Sequence, residues 1–235
     1  IIKKFEDGGF VERFQGADGR NLEIRLTDNG RELFHELERR ANNQISDILL
    51  KLSDEEQEAL ITSIVQVKRY LTKATTNLEI RGYSKGDEWY IIDRQLSLYE
   101  SERGFTSKVW KGYLKNGVRE MIERFDETRD AVFILENNGI KSGCAAVKHD
   151  RDEVAQFRYF FIEPELRGVG AGRKLLKKAI DFCKAKGYRH IFLWTVSAQE
   201  TARKLYSDFG FKITQTHEDD SWGVKVLEER WDMDI

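Results

Sequence analysis

The stretch from Glu163 to Arg173 reads Glu-Pro-Glu-Leu-Arg-Gly-Val-Gly-Ala-Gly-Arg and carries the densest chemistry of the chain. Gly168, Gly170 and Gly172 let backbone approach a ligand without Cβ interference. A helix opening there aims free N–H groups and a partial positive charge at the same point, so an anionic group is expected to bind. Arg167, Arg173, Lys174, Lys177 and Lys178 add positive charge, with Asp181 the only acid between Arg167 and Lys186. Spacing narrows the choice of anion. A nucleotide P-loop needs four residues between glycines followed by Gly-Lys-Ser/Thr, which is missing here. The dinucleotide fingerprint fails as well, because Arg173 stands where its third glycine belongs. What remains is Arg167-x-x-Gly170-x-Gly172.

The surrounding pattern supplies the elements that must hold this loop. A strand is expected at Val154–Ile162 before it and a helix at Gly170–Lys186 after it, stopped by Gly187. A strand at His190–Thr195 and a helix at Gln199–Phe209, stopped by Gly210, come next. Strands near Phe211–His217 and Val224–Trp231 close the chain. Upstream, Ala131–Glu136 and Ile140–Lys148 flank Asn137-Asn138-Gly139, a hairpin signal because Asn-Gly tolerates positive φ. Helices are expected at Arg94–Arg103 and Lys108–Phe125, after an extended start over Ile80–Ile92. The order is that of an α/β sandwich with a mixed sheet.

Residues 1–72 have a different grammar. Alternation from Phe10 to Leu26 predicts a hairpin around Gly16–Arg20. Thr27 and Asp28 offer N-caps to a helix with Phe34, Leu37, Ala41, Ile45 and Ile48 in register. Ser53 and Glu56 form a capping box for a second helix striped by Leu60, Ile64, Val67 and Leu71. Residues 73–78 read as a polar linker.

Composition bounds the rest. Apolar residues make up 40% of the chain, enough for a core, and no apolar run approaches the ~18 residues of a spanning helix. With 39 Lys and Arg against 41 Asp and Glu, no global basic field announces nucleic acid. Cys144, Cys183 and the scattered His35, His149, His190 and His217 make neither a disulfide framework nor a zinc spacing, so no metal is expected and a reducing cytoplasm is the default. Pro164 is the single proline, and the chain starts Ile1-Ile2 without Met, which suggests truncation upstream.

The loop resembles the coenzyme A pyrophosphate loop of the GNAT acetyltransferases. Ile162-Glu163-Pro164-x-x-Arg167-Gly168 is similar to that family's lead-in, and Ala202-Arg203-Lys204-Leu205-Tyr206, followed by Gly210-Phe211, resembles its A-x-x-L-Y-x-x-x-G-F. The resemblance covers residues 79–235. It implies acetyl-coenzyme A as co-substrate, with Arg167, Gly168, Val169, Gly170, Ala171, Gly172 and Arg173 around the pyrophosphate. Phe160, Phe161 and Ile162 would lie along the pantetheine, with Gln199 nearby. Tyr206 would be the general acid toward the departing thiolate. Gln156 stands where related enzymes often have glutamate; it orients water but takes no proton at neutral pH. Glu153 and Glu163 are candidate bases, and Trp194 and Trp222 candidate walls of an acceptor pocket.

Residues 1–72 resemble the C-terminal half of a MarR-type winged helix domain. Gly8-Gly9-Phe10-Val11-Glu12-Arg13 is similar to the lead-in of its wing, Asp18-Gly19-Arg20 to the wing tip, and Leu26-Thr27-x-x-Gly30 to the start of the next helix. The resemblance implies DNA contacts by Lys3, Lys4 and Arg20, provided a helix-turn-helix precedes Ile1, and a homodimer through helices 28–50 and 54–71. The expected fold class is therefore α+β: a partial winged helix with two long dimerisation helices, then a GNAT sandwich. The expected function is acetyl transfer to an amine by a domain fused to a DNA-binding regulator. The alternative is a regulator whose second domain only senses an acyl-coenzyme A or another ligand.

Overall fold

A computed structural model describes residues 1–15 and 22–235. The chain divides into two compact units, Ile1–Val67 and Lys68–Ile235.

In the first unit, α1 (Ile2–Asp7) leads into the antiparallel pair β1 (Val11–Gln15) and β2 (Leu22–Leu26). The turn expected around Gly16–Arg20, with Arg20 itself, lies outside the described residues. Lys3 and Lys4 are exposed on α1. Thr27 caps α2 (Asp28–Leu49) by accepting from Gly30 N–H at 3.0 Å, and its hydroxyl donates to Gly9 O at 2.6 Å. A Cβ on Gly30 would stand 1.9 Å from Phe10 O, so only glycine lets this helix start close on the hairpin. The capping box opens α3 (Asp54–Thr75) as expected: Ser53 N–H donates to Glu56 and Glu56 N–H to Ser53 Oγ. Phe34, Leu37, Ile45 and Ile48 on α2 are exposed, as are Leu60, Ile61, Ile64 and Val65 on α3.

The second unit is built on a seven-stranded sheet ordered β3-β4-β5-β6-β7-β9-β8. Its strands are β3 (Leu78–Gly82), β4 (Ala131–Asn137), β5 (Ile140–Arg151), β6 (Val154–Ile162), β7 (His190–Val196), β8 (Lys212–Asp219) and β9 (Val226–Asp234). Among the described residues, only β6 and β7 pair in parallel. The β4–β5 turn places Asn138 at φ 51° and Gly139 at φ 79°, the left-handed pair that the Asn-Gly signal predicts.

Helices cover both faces of the sheet. Ile91, Ile92 and Leu98 of α4 (Asp87–Arg103) and Leu114, Val118 and Met121 of α5 (Lys108–Glu123) pack with Val132, Ile134, Cys144 and Ala146. Leu175, Leu176, Ala179 and Cys183 of α6 (Ala171–Ala185) and Tyr206 of α7 (Glu200–Phe209) pack with Phe133, Leu135, Ala145 and Val147 on the opposite side. The period-2 alternation of β4 and β5 thus feeds two cores. Cys144 and Cys183 are buried free thiols. Among the described residues, no helix is long and apolar enough to cross a membrane.

Two expectations change. The extended start over Ile80–Ile92 ends at Gly82, and α4 begins at Asp87. The β-formers Tyr90, Ile91 and Ile92 are helical because that geometry buries Ile91 and Ile92 completely, and packing overrides local propensity. Of the linker 73–78, only Thr76 and Asn77 lie between elements. The helix absorbs Lys73–Thr75, and Leu78 already pairs with Asn137.

Candidate active site

Strand β6 organises the site. Cys144 pairs with Phe161 and Ala146 with Arg158, so Tyr159 and Phe160 together oppose Ala145. This bulge puts Tyr159 at φ 52° and changes which face each later residue meets. Ala155 and Phe157 face the α6–α7 core, whereas Tyr159 and Phe161, at the same spacing, face the α4–α5 core. Phe160 consequently joins Phe157 and Tyr206, with ring centroids 5.4 and 6.1 Å away. β6 leaves β7 just before the bulge: parallel pairing stops at Phe157–Leu193, while Trp194–Val196 continue on β9. Among the described residues, the edge of residues 158–162 turned toward β7 therefore has no strand partner, and a cleft opens on either side of Phe160.

One cleft, of about 350 Å³, is lined by Phe160, Phe161, Ile162, Arg167, Gly168, Gly170, Gly172, Arg173 and Gln199. Gly168 (φ 78°) and Gly170 (φ 92°) hold left-handed backbone that a side chain would strain. Near this end of α6, Lys174 N–H donates to Gly170 O at 3.0 Å, and the N–H groups of Ala171 to Arg173 precede that bond. Val169 packs against the core and Ala171 is buried, so their contribution is backbone only.

The basic side chains around the loop are largely engaged. Arg167 forks onto Glu102 at 2.8 and 3.0 Å and donates to Ile162 O at 3.0 Å. Arg173 pairs with Asp208 at 2.7 Å, Lys177 with Asp181 at 2.6 Å, and Lys174 reaches Leu78 O. The surplus positive charge read from the sequence is thus partly neutralised. Glu102 and Asp208, which do the neutralising, carry no local signal of that role.

The other cleft, of about 290 Å³, is aromatic. Tyr99, Phe105, Trp110, Tyr113 and Trp222 stack around it with centroid separations of 4.9–6.2 Å. Gln156, Trp194, Tyr206, His217 and Glu228 also line it. The two clefts meet at Tyr99, Phe160 and Gln199. Gln199 is tied on both sides, donating to Tyr99 Oη at 2.6 Å and accepting from Thr195 Oγ1 at 3.3 Å. Burial pushes the Tyr206 phenol well above its ordinary range, which keeps it protonated.

Neither carboxylate singled out as a base reaches the clefts. Glu163 is clamped by Arg94 at 2.6 and 2.7 Å, and Glu153 pairs with Arg189 at the far end of β6. Trp194 and Trp222 do line the aromatic cleft. Tyr99, Trp110 and Tyr113 sit on helices remote in sequence from the motifs, and Phe105 in the segment between those helices, so no local signal joins them to the site.

Residues 95–211 match the profile of the acetyltransferase (GNAT) family, and this part of the chain is a GNAT acetyltransferase domain. Two archaeal relatives carry the name uncharacterized N-acetyltransferase. One, from Methanocaldococcus jannaschii, is 32% identical over 57% of this chain and 60% of its own length. The other, from Archaeoglobus fulgidus, is 28% identical over 55% of this chain and 90% of its own. The chain therefore spans only about three fifths of the first relative. Among solved structures, ribosomal-protein-alanine N-acetyltransferase from Brucella melitensis superposes with a TM-score of 0.56 at 16% identity, over 67% of this chain and 99% of that one. A protein from Salmonella typhimurium, solved with its cofactor acetyl-CoA, gives 0.55 at 19% identity, over 67% and 93%.

Proposed function

We propose that the second unit transfers an acetyl group from acetyl-coenzyme A to an amine. The observation that carries this reading is a single bulged strand separating a glycine-loop cleft from an aromatic cleft, with the two joined at Tyr99, Phe160 and Gln199. The acetyl-CoA-bound Salmonella structure of the same fold supports the co-substrate. In this reading the N–H groups from Gly168 to Arg173 bind the pyrophosphate. The unpaired edge of Phe160–Ile162 orients the pantetheine amides, and a strand N–H near Phe161 polarises the thioester carbonyl. Tyr206 supplies a proton to the departing sulfur, and Gln156 orients water in the acceptor cleft. Release of free thiol from acetyl-coenzyme A that depends on an added amine is the expected result. Tight coenzyme A binding without such release is the behaviour of a ligand sensor and overturns the transferase reading.

For the first unit the proposal is the C-terminal part of a MarR-type regulator that pairs with a second copy through α2 and α3. A hairpin following a short helix supports the wing, and the apolar residues exposed along both helices support self-association. Contact with DNA through Lys3, Lys4 and Arg20 belongs to the same proposal, as does a cytoplasmic location, which the free thiols favour. Leu60→Glu with Ile64→Glu yields monomers in light scattering; an unchanged solution mass refutes the dimer.

A further inference from the structure

An acceptor amine is protonated in neutral water and must lose a proton before it attacks. Gln156 cannot take that proton, and Glu153 and Glu163 are engaged elsewhere. His217 has both the place and the chemistry. It sits on β8 opposite Glu228 of β9, which in turn lies opposite Val196 of β7. These three share one face of the sheet, and that face lines the aromatic cleft. Glu229, the next residue, turns to the other face, where it accepts from Arg203 at 2.9 Å.

The Glu228 carboxylate is held from two sides. His217 Nε2 lies 3.0 Å from Oε2, and Trp222 Nε1 donates to Oε1 at 2.5 Å. A carboxylate at Nε2 keeps the imidazole proton there and leaves the lone pair on Nδ1, which has no hydrogen-bond partner among the described residues. The edge of Trp194, with its centroid 5.3 Å away and its plane at 72°, helps fix the ring. Asp219, two residues along β8, brings its carboxyl group within 4.8 Å of the reactive atoms of both partners. Hydrogen bonds from Ser221 hold that carboxyl below its usual range, so it is anionic at neutral pH. The opposing charge in the cleft is Arg158 of β6, whose guanidinium stacks 4.8 Å from the Tyr159 ring.

We infer that His217, oriented by Glu228, is the catalytic base that deprotonates the acceptor amine, an inference that rests on the transfer reading above. His217 Nδ1 takes one proton from the ammonium and later returns it to solvent. The freed nitrogen lone pair forms the C–N bond at the thioester carbonyl carbon, and the C–S bond breaks with its electron pair on sulfur. Tyr206 gives its proton to that sulfur and regains one from the new amide nitrogen. One ammonium and one thioester thereby become one amide, one thiol and one proton in solution. The neighbouring carboxyl groups draw the ammonium in, and the aromatic walls suit an amine carried on an apolar or aromatic body.

The test uses the full chain with acetyl-coenzyme A and three probes: 2-phenylethylamine, lysine methyl ester and trialanine. His217→Gln keeps a donor for Glu228 but removes the base. It is expected to lower kcat/KM for the amine about 10²–10³-fold, to lose the acidic limb of the pH profile and to regain rate with added imidazole, while coenzyme A affinity stays unchanged. Glu228→Gln retains the ring but loses the carboxylate that orients it, and is expected to lower kcat for the amine about tenfold with the acidic limb kept and coenzyme A affinity unchanged. A His217→Gln protein that keeps its rate and acidic limb overturns the inference and leaves the transferase reading standing. Absence of amine-dependent thiol release from the native chain with every probe overturns both. Should His217→Gln fail to bind coenzyme A, Glu228→Gln decides, and an unchanged kcat for the amine overturns the inference.

Discussion

The two clefts beside Phe160 are built by different means. On one side the working atoms are backbone: left-handed glycines and the first N–H groups of α6. The nearby arginines are tied to Glu102 and Asp208. On the other side the working atoms are side chains from α4, α5, β6, β7, β8 and β9. A site made of backbone must recognise what every co-substrate molecule carries, whereas a site made of side chains can be re-specified one residue at a time. Under the proposed transfer, specificity for the amine is therefore expected to reside in the aromatic cleft.

Substitutions on the two sides should separate these roles. After His217→Gln, the largest effect is expected from Tyr206→Phe, which removes a hydroxyl without emptying the packing around the ring: kcat falls about 10²-fold while coenzyme A affinity is retained. Steady-state thiol release beside calorimetric binding checks both halves, and parallel loss of affinity would erase the distinction between the clefts. Gly170→Val should do the reverse. A β-branched residue at φ 92° strains the loop. Coenzyme A affinity is then expected to drop roughly tenfold or more, at a strain of about 1–3 kcal/mol, with kcat at saturation little changed.

A smaller and shared effect is expected from Asp87→Asn, because α4 lends Tyr99 to both clefts. Burial alone would raise the Asp87 carboxyl, but hydrogen bonds from Arg81, Lys141 and Ser84 N–H outweigh it and bring the pKa from 3.8 to about 2. A depressed carboxyl contributes stability that is full above its unfolded value and is lost as the pH falls through its folded one. The variant should therefore be less stable by about 2 kcal/mol at neutral pH, with the gap closing between about pH 4 and pH 2. Urea unfolding across that range is the measurement. A gap that persists at low pH would assign the loss to packing rather than to charge.

Legibility in the sequence follows the same division. Asn138-Gly139, the Ser53–Glu56 box and the Thr27–Gly30 cap were readable because each is closed by atoms a few residues apart. The glycine loop was readable for a related reason, since positive φ leaves its mark in residue type. The start of α4 was misread because Tyr90, Ile91 and Ile92 favour strand locally, and only the core beneath them decides for helix. His217 and Glu228 lie in ordinary strand alternation, so nothing in their spacing marks them as partners.

By itself, the sequence determined the local geometry of this protein: its caps and turns, the alternation that sorts the sheet into two cores, and the glycine loop that leads into α6. Tertiary structure alone decided which distant side chains meet. The β6 bulge re-aims Tyr159 and Phe160, the register of β8 on β9 sets His217 against Glu228, and Glu102 reaches Arg167 across the fold. Backbone preferences are written within a few residues, whereas contacts between side chains far apart in the chain exist only once packing has chosen the register and the crossing of the elements that carry them.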